Sequence, residues 1–261
     1  MSTTPRLSRR MFLRQMGTTS FAIAIFGLSA CSSSRGPTDT SDSEPPATTS
    51  PTPTPTESPA TSQAEPAMTY RRVNLGFVSA YILVRGDVAA IVDTGVAGSE
   101  PDIEAGLASA GLGWGNVEHL ILTHRHPDHV GSVEAVLAGA GSAATYAGEA
   151  DIDQIPTPRP IAAVGDGDEV FGLQIINTPG HTDGHISVLD SVGGVLVAGD
   201  ALNGADGGVV GANPQFSTDM TIADESVKKL AALNFDTILF GHGEPVEGGA
   251  RLLMEELAAG L

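Results

Sequence analysis

Apolar positions along this chain fall mostly into short runs divided by turn residues, the pattern of strands, with helical spacing at three places. AYILV (80–84) and VAAIVD (88–93) are split by RGD (85–87), which predicts a hairpin. VEHLILT (117–123) is a further strand-like run. VGSVEAVLAGAG (130–141) has apolar residues at helical spacing and ends in glycine, as a helix does. PIAAV (160–164), a GDGD turn (165–168) and EVFGLQIINT (169–178) predict another strand pair. HISVLD (185–190) and VLVAGD (195–200) flank SVGG (191–194) and predict a third. IADESVKKLAAL (222–233) is helical in period, DTILFGHG (236–243) is a strand ending at a histidine, and GGARLLMEELAAGL (248–261) is a short helix. Strands with interspersed helices and repeated strand-to-loop exits predict a single layered α/β domain, sheets inside and helices outside.

The first 67 residues do not share this pattern. SRRMFLRQMG (8–17) carries paired arginines, and TSFAIAIFGLSA (19–30) is an apolar run too short to span a bilayer as a mature helix, so it reads as a signal-peptide core. The arginine pair followed by Phe12 and Leu13 resembles a twin-arginine export signal. LSAC (28–31) resembles a lipobox, which implies cleavage before Cys31 and lipid on its sulfur. Residues 32–67 hold 8 Ser, 8 Thr and 8 Pro in 36 positions, a composition that cannot bury enough apolar surface to offset its ordering entropy. The expected organisation is a signal peptide (1–30), a lipidated cysteine and Ser/Thr/Pro-rich tether (31–67) and a functional domain (68–261), held outside the cytoplasm and touching the membrane only through Cys31.

Charge and cysteine count narrow the chemistry. The chain carries 13 basic and 31 acidic residues, a formal charge of −18, a field that repels phosphate backbones and argues against nucleic acid as a partner. Cys31 is the single cysteine, so the mature domain has no intrachain disulfide and no cysteine to offer a metal. A small-molecule substrate is the expected partner; oligomeric state is not legible.

Five of the seven histidines sit at strand exits or in tight turns, flanked by turn residues. His124, His126 and His129 lie in THRHPDHVG with Asp128, His181 lies in TPGHTDGH, and His242 lies in FGHG. Asp200 ends VLVAGD at another exit. Imidazole and carboxylate are the ligands that zinc-type ions favour, and short turns can aim them. Five scattered surface histidines would not all fall in such places.

These motifs resemble those of the metallo-β-lactamase-fold hydrolases. THRHPDHVG is similar to the family's T-H-x-H-x-D-H-x-G, TPGHTDGH to its T-P-G-H-T-x-G-H, AGDAL to its G-D-x-L, GHGEP to its G-H-G-x-P and IVDTG (91–95) to its early aspartate motif, in family order across residues 75–247. The resemblance implies a four-layer αββα sandwich, two mixed β-sheets flanked by helices. It implies that His124, His126 and His181 hold one divalent metal ion, that Asp128, His129 and His242 hold a second, and that Asp200 bridges them. Zinc is the first choice, with iron or manganese also suited to five histidines and two aspartates. Asp93 is expected to orient a liganding imidazole rather than simply form a turn, His119 to lie on the surface, and His185 to be structural unless it backs a ligand.

The implied reaction is hydroxide attack on an ester-like carbonyl, with Asp128 both ligating and orienting the nucleophile. Several true β-lactamases use a cysteine ligand that this chain lacks, and others lack the bridging aspartate that it has; redox di-iron relatives carry Glu where it has His126. The pattern is most similar to glyoxalase II-type thioester hydrolases and related lactonases. Only 19 residues follow His242, so the C-terminal helical region with which glyoxalase II binds glutathione is not expected. A persulfide dioxygenase-like iron enzyme and a non-catalytic metal- or solute-binding lipoprotein are the alternatives. Substrate selection is expected from the Gly-rich loop 203–220, with Arg159 and Tyr146 as further contacts unless they are simply a solvated arginine and a packed tyrosine.

Overall fold

The hairpin foreseen around RGD opens a six-stranded sheet. A computed structural model describes residues 67–261; the export signal, Cys31 and the Ser/Thr/Pro-rich tether lie outside the described residues. In chain order the strands of this sheet are β1 (Thr69–Asn74), β2 (Ser79–Arg85), β3 (Val88–Val92), β4 (Val117–Leu122), β5 (Ala144–Gly148) and β6 (Ala162–Val164), and they lie side by side in that order. The first three pair antiparallel, and β3 through β6 run parallel. Helices α1 (Glu100–Ser109), α2 (Pro127–Val130) and α3 (Val133–Gly139) make the parallel crossovers with 3-10 turns.

A second six-stranded sheet holds β7 (Glu169–Val170), β8 (Leu173–Asn177), β9 (Ile186–Asp190) and β10 (Val195–Gly199). After a separate hairpin, β11 (Leu202–Ala205) and β12 (Gly208–Gly211), and helix α4 (Met220–Ala231), the chain adds β13 (Thr237–Phe240) and β14 (Val246–Glu247), then ends in α5 (Ala250–Ala259). The order across this sheet is β14-β13-β10-β9-β8-β7, with β13 parallel to β10 and the other neighbours antiparallel. Among the described residues no helix is long and apolar enough to cross a membrane.

Burial follows the alternation of the strands. On β2, Ala80 and Ile82 pack outward against α1, while Tyr81 and Leu83 point at the second sheet. Both faces of that strand are therefore covered, and its sequence reads as one apolar run rather than an alternating one. Three apolar layers result. Ile103, Leu107, Val133 and Val136 cover the outside of the first sheet. Val227, Leu230, Ala250 and Met254 cover the outside of the second. Tyr81, Val92, Ile121, Ile175, Val188 and Leu239 fill the space between. This is the mixed αββα sandwich expected from the motifs.

Two local expectations are corrected. PIAAV and EVFGLQIINT do not pair: β6 closes the edge of the first sheet on β5, and the chain crosses to the second sheet through GDGD. EVFGLQIINT is not one strand but a tight hairpin, because Phe171 and Gly172 take φ of 58° and 73°, the left-handed pair that joins Val170 to Leu173. The helix expected over 130–141 is also split, with one turn at Pro127–Val130 and α3 starting at Val133. The first half of the 203–220 loop pairs as the β11–β12 hairpin.

Candidate metal centre

Strand ends from both sheets carry the predicted residues to one edge of the sandwich. β4 delivers Thr123 and His124; Pro127, with its fixed φ, starts the single turn α2 that presents Asp128 and His129. His181 follows β8, Asp200 follows β10, and His242 follows β13. Two hydrogen bonds join the sheets here: Ile186 N donates to Thr123 O at 2.9 Å and Ser79 N to Gly241 O at 2.9 Å. Gly241 must be glycine, since a Cβ would run into the His129 ring and the Asp200 carboxylate.

His126 Nδ1 lies 3.1 Å from His124 Nε2 and 2.9 Å from His181 Nε2. Asp200 sits beside them, with Oδ2 at 3.4 Å from His181 Nε2 and 3.2 Å from His242 Nε2, and Oδ1 at 3.2 Å from His129 Nε2. Asp128 Oδ2 is 3.3 Å from His242 Nε2 and 3.9 Å from His129 Nε2. Three trios place one ligating atom per residue within 4.8 Å of one another: His124/His126/His181, His124/His129/Asp200 and Asp128/His129/His242. The first and last trios are the two ligand sets expected from sequence, each drawn from both sheets.

Hydrogen-bond accounting fixes the tautomers. Thr123 Oγ1 donates to Asp93 Oδ2 and so accepts from His124 Nδ1 at 3.0 Å. Ser217 Oγ donates to Asn213 O and so accepts from His181 Nδ1 at 3.1 Å. His129 Nδ1 donates to Asp93 Oδ2 at 2.7 Å, and His242 Nδ1 to Phe77 O at 2.6 Å. All four rings thus turn Nε2 into the site, each held by the partner behind it. Burial lowers the pKa of His124 and His126 and brings His181 down to about 4, so His124 and His181 both turn an unprotonated Nε2 toward His126 Nδ1. Asp200 Oδ1 is buried and makes no hydrogen bond of acceptable geometry. Two converging Nε2 lone pairs and an orphaned carboxylate oxygen fit a cation, and this donor set fits divalent metal ions.

In the metal-free chain, protons take part of that place. Hydrogen bonds donated to Asp128 and then to Asp200 push His242 up to about 10. Burial by itself would lower His129, but Asp200 and Asp93 outweigh it and hold it well above its usual value. Ligands must shed these protons to bind a metal. Titrating a divalent ion into the metal-free chain at pH 7 in dilute indicator buffer is therefore expected to release about two protons, and affinity is expected to weaken as pH falls. Metal uptake with no acidification would contradict this charge arrangement.

The profile of the metallo-beta-lactamase superfamily matches residues 73–242, which span every side chain of this centre. The chain belongs to the metallo-beta-lactamase superfamily. It is 34% identical over 155 residues to a hydroxyacylglutathione hydrolase of Aeromonas hydrophila subsp. hydrophila, an overlap of 58% of this chain and 54% of that protein. The chain thus spans about half the length of that curated relative. Among solved structures it resembles a metallo-beta-lactamase family protein of Thermus thermophilus (TM-score 0.60, 25% identity, 74% of this chain and 78% of that one). It also resembles TTHA1623 in a di-iron-bound form (TM-score 0.56, 26% identity, 67% and 92%).

Within this superfamily framework the remaining predicted residues fall as follows. Asp93, at φ 61°, accepts from Thr123 N, Thr123 Oγ1 and His129 Nδ1, so it stands behind two of the imidazoles. His185 is fully buried at the back of the site. Ser187 Oγ donates to Ala198 O, Thr178 Oγ1 to Ser187 Oγ and His185 Nδ1 to Thr178 Oγ1, which leaves His185 Nε2 to accept the Asp200 N–H at 3.0 Å. Burial drives its pKa down to about 3, so it stays neutral and can accept. His119 is not an ordinary surface residue: half-buried, it packs 5.2 Å from the Phe171 ring beside Tyr146, because the β7–β8 turn folds over it. Arg159 contacts no cleft; its guanidinium donates to Leu137 O, Ala140 O and Gly141 O at the C-terminus of α3, where a cation is favoured.

Sequence reading missed Asp151. Its carboxylate is fully buried and accepts four hydrogen bonds: from Arg125 N (3.0 Å), Arg125 Nη1 (2.6 Å), Thr182 Oγ1 (2.6 Å) and Gly184 N (3.0 Å). It therefore ties the turn carrying His124 and His126 to the turn carrying His181. The one signal in the sequence is Arg125 itself, a cation between two ligand candidates that needs a counter-ion.

Proposed function

We propose that this chain is a metal-dependent hydrolase of an ester-type bond, a thioester or lactone, with the chemistry of the glyoxalase II-like branch of its superfamily. The observation that carries the reading is the pair of three-residue ligand sets with Asp200 between them, opening on a cleft of about 1130 Å³ lined by His126, Asp128, His181, Asp200 and His242. His124, His126 and His181 would hold one divalent ion and Asp128, His129 and His242 another, with Asp200 shared. Bound divalent ions supply Lewis acidity toward a carbonyl oxygen and, at zinc, acidify water to a pKa of about 7.

The chain's own residues orient and exclude. Asp93, Phe77 O and Ser217 fix the imidazoles, so little reorganisation is left for the reaction itself. Asp128 faces the cleft with its carboxylate held ionised, chiefly by His242, and can accept a hydrogen bond from an attacking water. His124 and His129 are fully buried, which keeps bulk water off the inner wall. The hydroxyacylglutathione hydrolase relatives support the ester-type assignment; zinc is proposed ahead of iron or manganese on ligand chemistry alone.

Purified chain is expected to carry up to two equivalents of divalent metal and to turn over thioesters or lactones ahead of phosphodiesters and β-lactams. His126→Ala is expected to lose metal and turnover together. Full metal loading with no turnover on any of the four substrate classes would refute the enzyme reading, and undiminished hydrolysis in His126→Ala would refute the ligand assignment.

A further inference from the structure

The cleft in front of the metal centre has one polar wall and one apolar wall. His126, Asp128, His181, Asp200 and His242 make the first, and Phe77, Val96, Ala97, Val210, Pro214 and Phe216 dominate the second. Phe77 and Phe216 are each 64% exposed and Val210 is 43% exposed. Single exposed apolar residues are ordinary, but three large ones lining one cleft point to a binding site. Among the described residues no lysine or arginine lines the cleft, so a carboxylate on a bound tail would meet no cation on the apolar wall. The chain's formal charge of −18 adds a repulsive field.

The aromatic walls are attached to the metal-centre side chains. Phe77 gives its carbonyl to His242 Nδ1–H, and its ring lies parallel to that imidazole at 6.1 Å and 11°. Phe216 precedes Ser217, which accepts from His181, and its own N–H donates to Asn213 O at 3.1 Å. The backbone that carries Phe77 and Phe216 thereby also holds the His242 and His181 imidazoles.

We infer that the substrate carries an uncharged, extended apolar acyl group, which lies along Phe77, Val210 and Phe216 while its ester-type carbonyl faces His126, Asp128 and His242. This rests on the hydrolytic reading above and names its substrate class. A cleft of about 1130 Å³ is at the upper end of those that take a small organic molecule, ample for a medium-length chain.

The test is a series of p-nitrophenyl esters from acetyl to octanoyl, with an ω-carboxylated acyl ester of matched length, assayed on the metal-loaded chain. kcat/KM is expected to rise about threefold for each methylene that the walls cover, and the carboxylated ester to fall at least tenfold below its uncharged match. Phe216→Ala, an exposed site whose loss should leave metal stoichiometry intact, is expected to cut the octanoyl-to-acetyl ratio of kcat/KM about tenfold, mainly through KM. Phe77→Ala keeps the backbone carbonyl that holds His242 and is expected to act in the same direction. A flat chain-length profile, or preference for the carboxylated ester, with metal-dependent hydrolysis of the acetyl ester overturns the substrate class and leaves the hydrolase standing. No metal-dependent turnover of any p-nitrophenyl ester, nor of any thioester or lactone, by fully loaded chain overturns both.

Discussion

Asp151→Ala is expected to lower folding stability by about 3–5 kcal/mol and to weaken divalent-metal affinity by about 10- to 100-fold. The substitution leaves the Arg125 guanidinium, whose side chain is only 16% exposed, without its counter-ion. It also strips the acceptor from two backbone N–H groups, Arg125 and Gly184, and from the Thr182 hydroxyl. An uncompensated buried charge costs more than the net value of the pair that it came from. For a domain of this size the melting temperature of the metal-free chain should drop by about 6–20 °C. Asp151→Asn keeps the volume but turns an NH₂ toward groups that are all donors, so it should fall between wild type and alanine. Chelator competition separates the roles: lowered melting with unchanged metal affinity would make Asp151 a stabiliser only, and no change in either would mean that the clamp does not form.

Asp200→Asn is expected to lower the bound-metal stoichiometry by at least one equivalent and kcat by about 10²- to 10³-fold. Asp200 is the one carboxylate within 3.4 Å of His129, His181 and His242 together. An amide of the same shape supplies one oxygen rather than two and carries no charge to balance a cation. His185 and the Asp200 N–H would still fix the backbone, so the folded metal-free chain should survive. Elemental analysis with steady-state kinetics on the best substrate decides it; two bound equivalents at wild-type rate would remove Asp200 from the centre.

The hairpins at 79–92 and 186–199 were legible because apolar runs flank compact turns, and the seven ligand candidates because each lies at a strand exit or in the turn that follows it. Other elements gave weaker signals. β1, TYRRVN, alternates with two arginines and buries only Val73 fully. α1 hides only Ile103 and Leu107, four positions apart, within an otherwise polar sequence. β5, ATYAG, owes its burial to its neighbours rather than to bulk. Whether two runs around a turn pair with each other or part into different sheets is settled by tertiary packing, which is why PIAAV and EVFGLQIINT were misjoined. Asp151 lies in EADIDQ, a stretch that reads as solvated until two distant turns close over it.

Neither sheet owns a complete ligand set. The segment before GDGD contributes His124, His126, Asp128 and His129, and the segment after it contributes His181, Asp200 and His242. Ion capture is therefore a late event in self-assembly, open only to a chain whose two halves have already docked. Bound ions would then act as a rivet across the seam, so that a protein severed at the GDGD junction would need both fragments reunited before it could load.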